Sequence, residues 1–267
     1  MTVEPVKFTT YDDIELAGDL YLPERRDEGW SPGIIVCHEF GASRAQHTGF
    51  GERALAAGYA TLIIDLRGHG ESGGEVDANI FNDVAAAMSY MQSRPEVHPM
   101  DIGIRGVDLG GWLAIHTAAH ILDLSPVIAI APPDEARLIL LMEEVAMVQR
   151  GHTSPLVPGI PPRVNVNSMV QLLYRLDITR AARRIAPRPF LLVHCEADRT
   201  TPSHISQRIY DEVGEPKALW LLPDCDHNFA GHDPDIDRRT FEWMKLSRLE
   251  SSKLRTSDLR GEDEPAN

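Results

Sequence analysis

The sequence predicts an α/β protein: a mostly parallel, twisted sheet with helices on both faces and a helical lid inserted before the last two strands. Three observations carry this. Short apolar runs of strand length alternate with helical patterns along most of the chain. Those runs are almost continuously apolar, as strands covered by helices on both faces must be. The rhythm breaks once, between Asp134 and Pro187, where two helical patterns flank a Pro/Gly-rich stretch.

Val6 to Leu22 alternates apolar and polar residues around Asp12-Asp13, the pattern of an antiparallel hairpin. Pro23 to Pro32 is a polar break. Gly33 to Phe40, "GIIVCHEF", reads as a buried strand, and Gly51 to Gly58 as a helix. "YATLIIDLRGHG" (Tyr59–Gly70) is a strand running into a glycine-rich loop. Ile80 to Gln92 has helical spacing, with Asn79 or Asn82 near its start. The strand Asp101–Asp108 leads into a helix from Leu109 to Ile121. Pro126–Pro133, Arg188–Asp198 and Lys217–His227 supply three further strands, with a helix from Ser203 to Val213 between the last two. Arg238 to Arg248 reads as a final helix. These elements divide the chain into a first core part (1–133), an insertion (134–187), a second core part (188–249) and a polar tail (250–267) expected to be disordered. The insertion holds helices over Glu135–Gln149 and Ser168–Ala182 around "TSPLVPGIPPRVNVN". A long ordered insertion between sheet strands suits a lid or cap.

Composition narrows the partners. Hydrophobic residues make up 43% of the 267, enough for a large core. A formal net charge of -14 argues against nucleic acid or an anionic membrane, since both need a basic face. No apolar run reaches the ~20 residues of a membrane span, and the N-terminus lacks the basic start and apolar core of a signal peptide. The odd count of three cysteines (Cys37, Cys195, Cys225), without metal-type spacing, is read as reduced thiols in a cytoplasmic protein. The expected partner is a small-molecule substrate, bound by a monomer or homodimer.

The chemistry centres on "RGVDLGGWLAIHTAAH" (Arg105–His120). Gly106-x-Asp108-x-Gly110-Gly111 has the frame of a nucleophile elbow, set between a strand and a helix as that motif requires, with aspartate in the serine position. "HCEADRTTP" places Asp198 just past one later strand, and "LPDCDHN" places His227 after the next. Nucleophile, acid, histidine is the chain order of the α/β-hydrolase triad. Taken singly, Asp108 reads equally as a helix N-cap, Asp198 as a turn former and His227 as a loop histidine; three successive strand ends favour a site.

With the motifs "CHEFGASR", "DLRGHGESGG", "GVDLGGWLA", "APRPFLLVHCEADRTTP" and "CDHN", the chain resembles the α/β-hydrolase superfamily over nearly its whole folded length. Within it, the chain is similar to the dienelactone-hydrolase-like bacterial hydrolases. The resemblance implies that the backbone N–H groups of Phe40 and Leu109 form an oxyanion hole. It also implies that the "DLRGHGES" loop is architectural, leaving Arg67 and His69 outside the site. Two positions depart from the family: Asp108 replaces serine, and Glu39 replaces the usual glycine after His38. Glu39 is either a carboxylate beside the oxyanion hole or a solvent-facing loop residue.

An aspartate cannot simply substitute for serine on an ester, because attack at a carbonyl gives a mixed anhydride that returns to substrate. Carboxylates do attack saturated carbon, displacing halide or epoxide oxygen to form an alkyl ester. His227, oriented by Asp198, would then activate water to hydrolyse that ester. Haloalkane dehalogenases and epoxide hydrolases of the superfamily work in this way. The first usually carry tryptophan where this chain has Leu109; Trp112, one turn on, suits packing. The second usually offer two lid tyrosines, and the insertion holds one, Tyr174. Two alternatives stand beside this: a non-hydrolytic lyase or cyclase using Asp108 and His227 as acid and base, and a binding protein that has lost the chemistry. His38, Glu39, Tyr174 and Met142 are further candidates for lining the site, beneath a roof of apolar insertion residues suited to an apolar or polyketide-like molecule. Neither GxGxxG nor a P-loop occurs, and His116 and His120 lack a third ligand, so no cofactor or metal is expected.

Overall fold

The computed structural model describes residues 2–24, 29–157, 161–223, 225–227, 229 and 233–258, with side chains through residue 248. Eight strands form one sheet: β1 (Thr2–Thr9), β2 (Glu15–Leu22), β3 (Ser31–Cys37), β4 (Ala60–Ile64), β5 (Val97–Val107), β6 (Leu124–Ile130), β7 (Phe190–Cys195) and β8 (Lys217–Leu222). Their spatial order is β1-β2-β4-β3-β5-β6-β7-β8. β1 and β2 form the expected hairpin and join β4 antiparallel; every other pairing is parallel. This is the α/β-hydrolase fold that the sequence predicts.

The period-2 geometry of strands sorts the apolar residues into two cores. Ile35, Leu62, Ile64, Val127 and Ala129 face one. Ile34, Val36, Ile63, Ile128 and Ile130 face the other. The first core is covered by α2 (Phe81–Gln92), α3 (Leu109–Ala118), α4 (Glu135–Gln149), α5 (Val166–Leu173), α6 (Ile178–Ala182) and α7 (His204–Glu212). The second lies under α1 (Thr48–Ala56) and α8 (Asp233–Asp258). Full burial of each Leu or Ile contributes about 1.5–3 kcal/mol, so the central strands anchor the framework on which the site is built.

Three expectations are corrected. The helix anticipated over Ser168–Ala182 is two helices: the side chain of Asp177 accepts the Arg180 N–H at 3.0 Å and caps a new start at α6. The final helix runs through Asp258, past the predicted boundary at 249, because each added residue closes one more helical hydrogen bond once the helix is nucleated. Residues 259–267 of the predicted disordered tail lie outside the described residues. Most important, Cys195 and Cys225 form a disulfide across 30 residues of sequence; Cys37 alone is free, and buried. β7 and the loop after β8 bring the two sulfurs together, which linear spacing does not reveal. The cysteines therefore lend no support to a reducing compartment. No helix among the described residues is long and apolar enough to cross a membrane.

Candidate active site

Asp108 sits at the sharp turn between β5 and α3 with φ 50° and ψ −116°, a conformation that side-chain-bearing residues rarely adopt. The turn closes because its neighbours are glycine. A Cβ on Gly106 would run into the Gly110 backbone, and one on Gly110 into the carbonyls of Cys37 and His38. The Asp108 N–H is anchored on the Ile130 carbonyl at 2.9 Å. The side chain, 13% exposed, is thereby lifted off the sheet's carboxyl edge.

The structure gathers Asp108, His227 and Asp198 at one place. His227 Nδ1–H donates to Asp198 Oδ2 at 2.7 Å, and its Nε2 stands 4.0 Å from Asp108 Oδ1. Asp198 is buried. Its Oδ1 accepts the N–H groups of Thr200 and Thr201, each at 2.8 Å. Burial alone would push its carboxyl up, but His194, His227 and the Thr201 N–H hold it well below the usual carboxylate range. Burial likewise pulls His227 down, yet the Asp198 hydrogen bond and the charges of Asp108, Asp198 and Glu39 prevail and raise it.

The Phe40 N–H donates to Asp108 Oδ2 at 3.2 Å, and the Leu109 N–H hydrogen-bonds the same carboxylate. The two expected oxyanion donors thus act on the aspartate's own carboxylate. Burial pushes Asp108 up; His227, Leu109 and Phe40 pull it down, Glu39 pushes up, and the net shift is upward.

Glu39 lines the cleft. Its Oε2 meets His47 Nε2 at 2.9 Å, and despite burial that pairing pushes its carboxyl down to about 2, so it is ionised. His38 does not line the cleft. It is fully buried, donates through Nδ1 to the Glu39 carbonyl at 2.7 Å and accepts the Leu66 N–H at Nε2. Met142 is fully buried in the core, and Tyr174 is 74% exposed; neither reaches the cleft. α4 turns Leu138 and Leu141 to the cleft, whereas Met142 faces inward with Val145. Trp112 is packing, stacked on Phe81 with its indole N–H on Glu135 Oε1 at 3.0 Å.

His69, which the resemblance places in an architectural loop outside the site, braces the site from behind. It accepts the Gly41 N–H at 3.1 Å and packs edge-on to Phe40, holding the loop that presents the Phe40 N–H. Burial lowers it to about 3, so it is neutral and free to accept. Arg67, in the loop after β4 that carries His69, ties that loop to Asp83, Asp12 and Asp77. The cleft encloses about 480 Å³. Its wall also includes Gln46, Pro133, Arg137, Pro155, Leu156, Thr200 and Thr201, none of them singled out from sequence. Arg137 had a signal, since it lies four residues before Leu141 and shares its helix face. Asn228 of the "CDHN" motif is outside the described residues.

A strand-borne elbow, a following acid and a late histidine on this sheet define a member of the α/β-hydrolase class. Residues 29–236 match the alpha/beta hydrolase family, and the chain belongs to it. It is 27% identical to the protein PA2218 of Pseudomonas aeruginosa over 83% of this chain and 74% of that one. The crystal structure of PA2218 matches with a TM-score of 0.76 and 21% identity, covering 92% of this chain and 94% of the other. GrgF from Penicillium sp. sh18, an alpha/beta hydrolase, matches with a TM-score of 0.71 and 23% identity over 92% of this chain and 99% of its own. Est1E from Butyrivibrio proteoclasticus, solved with ferulic acid bound, matches with a TM-score of 0.74 and 20% identity over 91% and 100%.

Proposed function

We propose that this chain is a hydrolase that opens a strained cyclic ether, an epoxide, with Asp108 as nucleophile at saturated carbon. The observation that carries the reading is the division of labour between the two Asp108 oxygens. Oδ2 accepts the Phe40 N–H, the Leu109 N–H favours the charged carboxylate, and Oδ1 faces His227 across 4.0 Å. A serine elbow keeps those donors for the substrate's oxygen. Here they orient a carboxylate for in-line attack by Oδ1 and wait for charge that appears on Oδ2 later.

Oδ1 attacks the ring carbon, the C–O bond breaks, and the departing oxygen takes a proton from the His227 imidazolium. The product is an Asp108 alkyl ester beside a neutral imidazole. That imidazole, oriented by Asp198, takes a proton from water as the hydroxide adds to Asp108 Cγ. Negative charge on Oδ2 is stabilised by Phe40 and Leu109. Collapse expels the alkoxide, which takes the proton from His227; the Asp108 carboxyl then returns its proton to the imidazole. The sum is epoxide plus water to diol. The raised proton affinity of His227 suits it to the first step. The described lining residues include no tryptophan to cradle a halide and no tyrosine to protonate a departing oxygen, so in this reading that proton comes from His227. A second reading, acid–base chemistry without hydrolysis, draws support from the upward shift of Asp108 alone.

Incubation with 1,2-epoxyoctane, styrene oxide and p-nitrophenyl acetate tests the reaction class. Diol formation by the wild type, lost in Asp108→Asn, is expected. Hydrolysis of the ester without any diol would overturn the reading.

A further inference from the structure

Arg137 stands apart from the other arginines. Among the described residues, those not exposed to solvent have partners: Arg44 pairs with Asp65 and Glu71, Arg67 with Asp83, Arg105 with Asp237, and Arg188 caps the carbonyls of Ala118, Ile121 and Leu124. Arg137 is half-buried and lines the cleft, and its side chain makes no hydrogen bond, ion pair or ring contact among the described residues. The carboxylates nearest in sequence are committed elsewhere. Asp134 accepts the Arg137 backbone N–H at 3.0 Å with Oδ1 and pairs Arg208 at 2.7 Å with Oδ2. Glu135 turns away, accepting from Trp112 and the Ile178 N–H and pairing with His116. Glu39, across the same cleft, is satisfied by His47.

A guanidinium that faces a cleft without an acceptor presents a planar fork of donors, and a bidentate carboxylate answers that geometry. The cleft it lines also presents apolar side chains, Pro133, Leu138, Leu141, Pro155 and Leu156, able to take a hydrocarbon chain. We propose that Arg137 is a carboxylate-binding subsite and that the substrate is an apolar carboxylic acid, its anion on Arg137 and its reactive carbon at Asp108. The substrate class rests on the epoxide-opening reading; the subsite does not.

Octanoate serves as a probe with the anion and chain but no electrophile, and 1-octanol, methyl octanoate and octyl phosphate are its controls. Octanoate is expected to raise the melting temperature of the wild type and of Asp108→Asn, and to bind Arg137→Gln about 10- to 100-fold more weakly. Arg137→Lys should recover part of the affinity. Equal octanoate affinity in wild type and Arg137→Gln, octanol binding as tightly as octanoate, or octyl phosphate binding more tightly than octanoate would each overturn the subsite. With 10,11-epoxyundecanoate, Arg137→Gln should raise KM with little change in kcat, and leave the methyl ester unaffected. Turnover of acid and ester alike, independent of Arg137, overturns the subsite and leaves the reaction standing. Arg137-dependent octanoate binding without turnover of any epoxide overturns the reaction and leaves the subsite.

Discussion

Cys195 and Cys225 are joined, and the bond ties together the two loops whose side chains meet at the site. Cys195 ends β7, and its carbonyl accepts the Asp198 N–H at 3.3 Å; Cys225 lies in the loop that carries His227. The disulfide therefore confines the approach of Asp198 to His227 at 2.7 Å. Its removal should loosen that approach and the fold alike. Cys195→Ser paired with Cys225→Ser is expected to lose about 3–4 kcal/mol of stability, seen as a lower melting temperature, and to lower kcat more than it raises KM. Alkylation of the unfolded, unreduced wild type should modify Cys37 only; modification of all three cysteines would show that the bond is not formed.

Glu39 sets the charge environment of the reacting pair. The first step needs Asp108 ionised and His227 protonated, so its rate falls below the pKa of Asp108 and above that of His227. Both are raised: Asp108 chiefly by burial, His227 by Asp198 and its other anionic neighbours against the pull of burial, with Glu39 adding to each. Glu39→Gln removes a negative charge and lowers both pKa values. The whole bell of kcat/KM against pH should move to lower pH by roughly 0.5–1 unit. An unmoved bell would show that Glu39 is electrostatically remote from the chemistry.

Gly110 tests whether the elbow tolerates any side chain. A Cβ there would collide with the Cys37 and His38 carbonyls, which belong to the strand and loop leading to Phe40. Gly110→Ala should destabilise by about 1–3 kcal/mol or more and weaken catalysis further by displacing the Phe40 N–H. A variant with wild-type melting temperature and rate would remove the packing argument for the glycines.

Much of this was legible in the sequence, because buried parallel strands must be apolar and loops at their carboxyl ends must carry the chemistry. "GIIVC", "ATLII" and "PVIAI" lie in β3, β4 and β6. Asp108, Asp198 and His227 were visible as successive strand-end residues. Legibility failed where three-dimensional direction decides. Tyr174 and Met142 belong to the right helical segments, but one points to solvent and the other into the core. Arg137 differs from the exposed arginines only in what surrounds it. His47, which holds Glu39, and Cys225, which bonds Cys195, find their partners through the fold rather than through local spacing. The break between α5 and α6 turned on a single capping residue, Asp177, inside a pattern that reads as continuous.

Whether Asp108 forms a covalent ester with substrate is the central claim, and oxygen labelling addresses it at the reacting atom. With enzyme in excess over 1,2-epoxyoctane in 18O-water, one turnover is followed by mass spectrometry of the peptide that contains Asp108. Attack of labelled hydroxide on the ester Cγ predicts one 18O in the Asp108 carboxylate and none in the diol. Label in the diol with an unlabelled Asp108 would contradict the account, since water would then have attacked the substrate directly.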